Sequence, residues 1–182
     1  VGLGGGGIST AGAAGGAGGA AGGAAMAQST FEKINSTGTV VMGVRESSAP
    51  MAYAIGSNQT FGGYHVELCE RVLKEIAPNA KIEYMALTAQ NGTVDIGCGQ
   101  TTNNLTRQKQ VSFAVTTYVS QVRAAVKADS TITSLKQLDG KNVAASAGTT
   151  AVQLLRKFGK DNNVNLPTTL GKDHFEGFML LE

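Results

Sequence analysis

From residue 29 onward the apolar residues follow two spacings, and these predict a chain of strands and helices. Short runs of β-branched and apolar residues predict buried strands, whereas apolar positions three and four residues apart predict amphipathic helices. The predicted strands are "TVVMGVR" (39–45), "KIEYMAL" (81–87), "TVDIGC" (93–98), "QVRAAVKA" (121–128) and "NVAASAG" (142–148).

Five stretches carry the signals of helices. Ser29 and Glu32 have capping-box spacing, which predicts a short helix at "STFEKI". The stretch "YHVELCERVLKEIAP" (64–78) has one apolar helical face, formed by Cys69, Val72, Leu73 and Ile76. The other predicted helices are "SLKQLDGK" (134–141), "TTAVQLLRKFGKDN" (149–162) and "DHFEGFMLLE" (173–182).

Strands that alternate with helices indicate βαβ units and a largely parallel sheet, so the predicted fold class is α/β. The pattern restarts after "VSFAVTTYV" (111–119), which joins two units. We therefore expect lobe 1 at residues 29–118 and lobe 2 at residues 119–182. The carboxyl ends of parallel strands would face the crevice between two such lobes.

Charge and composition narrow the possible partners. The 182 residues contain positive and negative side chains in nearly equal number, with a net charge of +2, and no Trp. This argues against nucleic acid or an anionic membrane as a partner. His65, His174 and the two cysteines lack the spacing of a zinc site, so we expect no metal and no cofactor. We interpret Cys69 and Cys98 as buried thiols, with a disulfide as the alternative if the protein is exported.

Residues 1–28 differ from the rest because they carry no charge and are mostly Gly and Ala. Such a stretch cannot bury enough side chain to offset its backbone entropy, so we expect disorder unless something else holds it. Its end, "AAMAQ" (24–28), has the small-residue pattern that signal peptidase reads. The segment is therefore interpreted as either a signal-peptide remnant or a low-complexity tail, and not as a membrane span.

Polar residues follow three predicted strands: Arg45, the stretch "GQTTNNLTR" (99–107), and "GTT" (148–150). The last opens a helix, so backbone N–H groups and hydroxyls can converge there on a carboxylate. Arg107 can bind the same carboxylate through two hydrogen bonds. Each feature alone is also typical of an N-cap or a surface ion pair, but their recurrence at three strand ends favours a small-anion site.

Four stretches carry a family resemblance: "GVRESSAP" (43–50), "CGQTTNNLTRQKQVSF" (98–113), "LKQLDGKNVAASAGTT" (135–150) and "KDHFEGFMLLE" (172–182). Together they resemble the extracytoplasmic solute-binding proteins of amino-acid ABC transporters, within them most closely the glutamate/aspartate-binding branch. The resemblance implies a two-lobed periplasmic binding protein fold of type II. It also implies that the second lobe and the C-terminal return are incomplete in this chain.

The resemblance also implies a ligand-binding set. Arg107, with Thr102 and Thr150, would clamp the α-carboxylate of an amino acid. The backbone carbonyl of Gln100 would help to hold the α-amino group. Arg45 and His174 match positions that contact the ligand's side-chain carboxylate.

Three departures from the family pattern stand beside these matches. His65 occupies a position where an acidic residue is usual, and Ala89 replaces a serine of the acidic branch. Asn91 runs directly into Gly92, where the family has a short helix with another side-chain-binding arginine. The chain also ends before the aspartate that would hold the α-amino group, so we expect only part of the site.

The resulting expectation is a non-catalytic, periplasmic protein that binds a free amino acid, glutamate or aspartate, and delivers it to an ABC permease without entering the membrane. A truncated fragment with little binding activity is one alternative. A dehydratase-like enzyme on the same fold is another, although the sequence shows no catalytic triad or carboxylate pair.

Overall fold

The computed structural model describes residues 29–56, 60–87 and 94–181, and also the backbone of residues 7–10. Three sheets and five α-helices make up this part of the chain. The strands are β1 (Gly7–Thr10), β2 (Thr39–Val44), β3 (Ser47–Ser48), β4 (Ala52–Ile55), β5 (Thr60–Gly62), β6 (Lys81–Ala86), β7 (Ile96–Thr101), β8 (Ser112–Thr116), β9 (Val143–Ser146) and β10 (Thr168–Gly171). The helices are α1 (Thr30–Thr37), α2 (Tyr64–Ile76), α3 (Leu105–Gln108), α4 (Thr150–Asn162) and α5 (His174–Met179), with a 3₁₀ turn at Leu135–Leu138.

The largest sheet has the order β6-β2-β7-β1-β8. Strand β2 pairs in parallel with β6 and β7, whereas β1 is antiparallel to β7 and β8. The predicted α/β class is therefore confirmed, but the prediction of a largely parallel sheet was wrong in part, because β1 pairs with β7 and β8 in antiparallel fashion. In parallel sheets the carboxyl ends of the strands lie at one edge, and this places the residues after β2 and β7 side by side.

Strand pairing holds part of the Gly/Ala-rich segment, namely the backbone of β1. Gly7–Thr10 lies between β7 and β8 as a ladder partner of both. The signal-peptide and tail interpretations of residues 1–6 and 11–28 concern residues outside the described part of the chain.

Helix α2 packs on β7 and covers the core of the large sheet. Its buried residues are His65, Val66, Cys69 and Leu73. The predicted apolar face was therefore wrong in part, because Val72 and Ile76 are 36% and 48% exposed. Val72 lies at the edge of the buried stripe and Ile76 is the last residue of the helix, whereas His65 takes an interior position.

Cys69 of α2 and Cys98 of β7 form a disulfide, with their Cα atoms 6.2 Å apart. The interpretation of these residues as two buried thiols was wrong. Both residues are fully buried, as expected, but the packing of α2 across β7 brings them face to face. The alternative that was tied to export is the one that the structure shows.

The second half of the chain builds a smaller unit from β9, β10, α4 and α5. Strands β9 and β10 pair in parallel, and α4 and α5 both contact β9. The strand predicted at residues 121–128 is not formed: this segment makes no sheet ladder among the described residues. A strand needs a neighbour for its backbone groups, and the spacing of apolar residues does not supply one.

Candidate functional site

The polar residues that follow three strands lie at one corner of the described structure. Arg45 follows β2, Thr102 follows β7, and Thr150 opens the helix after β9. Two contacts join the last two of these ends. The Thr102 and Thr150 hydroxyls lie 3.3 Å apart, and Arg107 bonds to the carbonyls of both Thr102 and Gly148.

Helix α3 positions Arg107. Asn104 is its N-cap, and the Oδ1 atom of Asn104 accepts a hydrogen bond of 2.9 Å from the backbone N–H of Arg107. The guanidinium then donates from Nη1 to the Thr102 carbonyl at 3.1 Å and from Nη2 to the Gly148 carbonyl at 3.3 Å. Since a guanidinium has five N–H donors, others remain for an anion.

Arg107 has no carboxylate partner among the described residues. The ion pairs that the described part of the chain contains are Lys33–Asp95, Lys81–Glu83 and Lys157–Asp161. Burial lowers the pKa of Arg107, because a half-buried cation loses part of its hydration. A cation that is held by carbonyls and lacks a carboxylate partner among the described residues has donors suited to an anion.

Arg45 brings a second cation to the same corner. Burial lowers the pKa of Arg45, and the positive charge of Arg107 lowers it further, whereas Asp173 acts in the opposite direction. The aliphatic part of the Arg45 side chain lies over Gly99. A Cβ atom added to Gly99 would be 3.3 Å from the Cγ atom of Arg45. Two partly buried arginines with one nearby carboxylate leave an excess of positive charge that an anion would neutralise.

The start of α4 adds backbone donors to this corner. Thr149 is the N-cap, but its hydroxyl donates to the Ser146 carbonyl at 2.8 Å and caps no N–H group of the helix. The N–H groups of the first turn of this 13-residue helix therefore have no side-chain partner from their N-cap residue. A carboxylate near Thr150 would receive them together with the positive end of the helix dipole.

The structure places Gln100 and His174 beside this corner in different ways. The Gln100 side chain donates to the Ser48 carbonyl at 2.7 Å, which ties β7 to β3. His174 begins α5, and its Nδ1 atom lies 2.7 Å from the Ser146 hydroxyl oxygen. Burial, and secondarily the charge of Arg45, lower the pKa of His174, whereas the nearby Asp173 raises it.

Sequence reasoning missed several residues that position the predicted set: Ser146, Asp173, Asn104 and the carbonyl of Gly148. The spacing of Asn104 to Arg107 is that of an N-cap and could have been read from the sequence. The contacts of Ser146 and Gly148 join residues 28 and 41 positions apart, and no local pattern reports such distances. The departures at Ala89, Asn91 and Gly92 lie outside the described residues.

An open groove of about 1330 Å³ lies elsewhere, in the second half of the chain. It is bordered by residues 122–135 and by parts of β9, α4 and α5, and none of the six predicted site residues lines it. Among the described residues there is no cluster of His, Cys, Asp and Glu that could hold a metal ion. None of the described helices combines the length and apolarity that a membrane span requires.

Comparison with known proteins identifies the class. The profile of the bacterial extracellular solute-binding proteins, family 3, matches residues 40–171. This chain belongs to that family. The fold agrees, since the cysteine-binding protein from Campylobacter jejuni superposes with a TM-score of 0.67 at 25% identity, over 85% of this chain and 63% of that one.

Two curated relatives are similar in sequence. The L-glutamate/L-aspartate-binding protein of Pseudomonas aeruginosa is 39% identical over 84% of this chain and 55% of its own length. The glutamate/aspartate import solute-binding protein of Escherichia coli is 34% identical over 86% of this chain and 55% of its own length. The chain thus spans about half the length of the curated relatives it matches.

Proposed function

We propose that this chain binds a free amino acid with an acidic side chain outside the cytoplasm and serves an ABC importer. The observation that carries the proposal is Arg107, whose guanidinium bonds to the Thr102 and Gly148 carbonyls and has no carboxylate partner among the described residues. The relatives' names, which specify glutamate and aspartate, support this class of ligand.

The proposed α-carboxylate site is formed by Arg107, Thr102 and Thr150. A carboxylate beside the two hydroxyls, which lie 3.3 Å apart, would accept hydrogen bonds from the N–H groups of Arg107 and of the first turn of α4. These donors come from the ends of β7 and β9, and so from the two expected lobes on either side of residue 118. Binding there would draw the two halves together, which is how a cleft closes on its ligand.

The proposed side-chain site contains Arg45 and His174. Arg45 is close enough to Arg107 for their charges to interact, so one ligand with two carboxylates can neutralise both cations. Gln100 is proposed to contribute its backbone carbonyl to the ligand's ammonium, and its side-chain bond to Ser48 would fix that peptide in place.

Export and a binding role have separate supports. The Cys69–Cys98 disulfide suits an oxidising compartment, which favours a periplasmic location. Ser146 and His174 form a serine–histidine hydrogen bond, but Ser146 is only 5% exposed. A buried hydroxyl is a poor nucleophile for an external substrate, and this favours binding over a hydrolase that would use Ser146 as its nucleophile.

Titration calorimetry with glutamate and with aspartate tests the proposal. Wild-type protein should give saturable heat without conversion of the ligand. Arg107→Ala should weaken binding at least about a hundredfold, because charge-assisted hydrogen bonds contribute about 1.5–3 kcal/mol each. Arg156→Ala is the matched control, since Arg156 is exposed and lies on the same helix as Thr150.

Two results would contradict the proposal. If wild-type protein gives no heat with either ligand, the chain is a fragment with little binding activity. If Arg107→Ala binds as tightly as wild type, the carboxylate site lies elsewhere. Analysis of the recovered ligand by NMR separates binding from turnover.

A further inference from the structure

Ser146 is a polar residue of the site region that the proposed ligand contacts do not use. It ends β9, is 5% exposed, and its hydroxyl oxygen lies 2.7 Å from Nδ1 of His174. Its backbone carbonyl accepts the Thr149 hydroxyl at 2.8 Å. Among the described residues, His174 is the hydrogen-bond partner of the Ser146 hydroxyl.

The burial of Ser146 decides the direction of this hydrogen bond. A hydroxyl carries one proton, and a buried O–H that donates to nothing costs about 1–3 kcal/mol. If Nδ1–H of His174 donated to Ser146, the serine proton would have no acceptor among the described residues. The arrangement that satisfies it has Ser146 donating to a bare Nδ1, which leaves the proton of the neutral ring on Nε2.

The surroundings of His174 favour the neutral ring. The ring is partly buried, and Arg45 places a positive charge near it, while Asp173 is the carboxylate that opposes this effect. Asp173 also caps α5 by accepting the backbone N–H of Glu176 at 2.9 Å. The Nε2 atom of His174 has no hydrogen-bond partner among the described residues, and it is not one of their buried unpaired atoms.

We propose that Ser146 is a positioning residue that donates its hydroxyl proton to Nδ1 of His174 and so presents Nε2–H as a donor to the ligand's side chain. The role in ligand binding rests on the proposed function; the orientation of the ring does not. A neutral N–H group can donate to a carboxylate oxygen or to an amide oxygen with the same geometry. His174 would therefore set the position of the side-chain oxygen, and Arg45 would supply the preference for charge.

The imidazole tautomer is measured by nitrogen-15 NMR of the ligand-free protein at pH 7.5. The chain has two histidines, so His174→Gln assigns both sets of signals, and His65 reports whether each variant is folded. We expect the Nε2–H tautomer for His174 in wild type and in Ser146→Thr, which keeps the hydroxyl. In Ser146→Ala the Nδ1–H form should become populated. Thr169→Val, which removes a hydroxyl bonded to Asn142 in the same two-stranded sheet, should leave the tautomer unchanged.

The outcomes separate the two proposals. An Nδ1–H tautomer in wild type, or an unchanged tautomer in Ser146→Ala, would overturn the role of Ser146 whether or not any ligand binds. With the tautomer as expected, Ser146→Ala should weaken glutamate binding about three- to tenfold. Undiminished glutamate binding in that variant would overturn the role in binding. If wild type binds no ligand at all, the proposed function is refuted instead. The NMR spectrum still decides the orientation of His174 in that case.

Discussion

Arg45 and Arg107 are identical side chains in one corner of the structure, yet their surroundings differ. Arg107 bonds to two backbone carbonyls, and this fixes its guanidinium beside Thr102 and Thr150. Burial and the positive charge of Arg107 both lower the pKa of Arg45, whereas Asp173 raises it. On the proposed function, Arg107 recognises the part that all amino acids share and Arg45 recognises the side chain.

Arg45→Ala is therefore expected to change specificity more than affinity in general. It should weaken the binding of glutamate and aspartate about tenfold or more, because the lost contact is to a charged side chain. The binding of glutamine and asparagine should stay nearly unchanged. Competition calorimetry with these four ligands measures this.

In wild type we expect the acidic ligands to be favoured by less than a hundredfold, or about 2.7 kcal/mol, over the amides. Stronger exclusion of the amides would show that the departures at Ala89 and Asn91–Gly92 do not relax specificity.

His65 is a fully buried residue at a second polar contact. Its Nε2 atom lies 3.0 Å from the Thr117 hydroxyl, while its Nδ1 atom has no hydrogen-bond partner among the described residues. Burial lowers the pKa of His65, because a charged ring in the core would lose its hydration. The folded protein therefore holds this residue neutral under conditions in which an unfolded chain would protonate it.

This predicts lower stability at acidic pH. Below about pH 6.5 the unfolded state binds a proton that the folded state does not, so stability falls as pH falls through that value. Between pH 7.5 and 5.5 the loss from His65 should be at most about 1.4 kcal/mol. The pKa of His174 is also lowered, so this residue reduces stability at acidic pH as well. Urea unfolding at the two pH values should show the loss in wild type and a smaller one in His65→Gln; equal losses would contradict the assignment.

At the scale of elements, the disulfide ties α2 to the large sheet. Cys69 and Cys98 are separated by 29 residues, a span that contains β6 as well as the end of α2. Linking them restricts the unfolded chain, and a loop of this length is associated with about 3–4 kcal/mol of stabilisation. The bridge is thus one of the larger single contributions to the first half of the chain.

The double variant Cys69→Ala/Cys98→Ala should lose about 3–4 kcal/mol of unfolding free energy in urea. Both residues are fully buried, so alanine avoids placing a new polar group in the core. Added reductant should destabilise wild type but have no effect on the double variant. Detection of two free thiols in denatured, unreduced wild type would show that the bridge is not formed.

At the scale of the whole molecule, apolar surface is exposed in both halves. Val115 and Val119 are 82% and 85% exposed, and Phe175 is 65% exposed. Leu154, which lines the groove of the second half, is 51% exposed. Exposed apolar surface of this kind favours association between molecules.

We therefore expect concentration-dependent association in sedimentation experiments at micromolar concentrations. Leu154→Gln should reduce it, whereas Ile76→Gln, which changes a similarly exposed residue on α2, serves as the control for a groove-specific effect. A monomer that melts sharply, reversibly and independently of concentration would contradict this expectation.

The sequence by itself determined the local features of this protein. The capping-box spacing predicted Ser29 as the N-cap of α1, and apolar spacing located β2, β6, α2 and α4. The polar residues after β2, β7 and β9 led to the prediction of an anion site, and that site stays a prediction. These features depend on residues a few positions apart, where steric and hydrogen-bonding preferences act directly.

Tertiary structure alone decided which distant groups meet. It paired Cys69 with Cys98, set Ser146 against His174, and placed Arg45 near Arg107. It also left residues 121–128 without a strand partner in the described part of the chain, although their pattern suits a strand. Pairing across tens of residues depends on how helices pack on sheets and on which backbone groups find partners, and these are properties of the assembled chain.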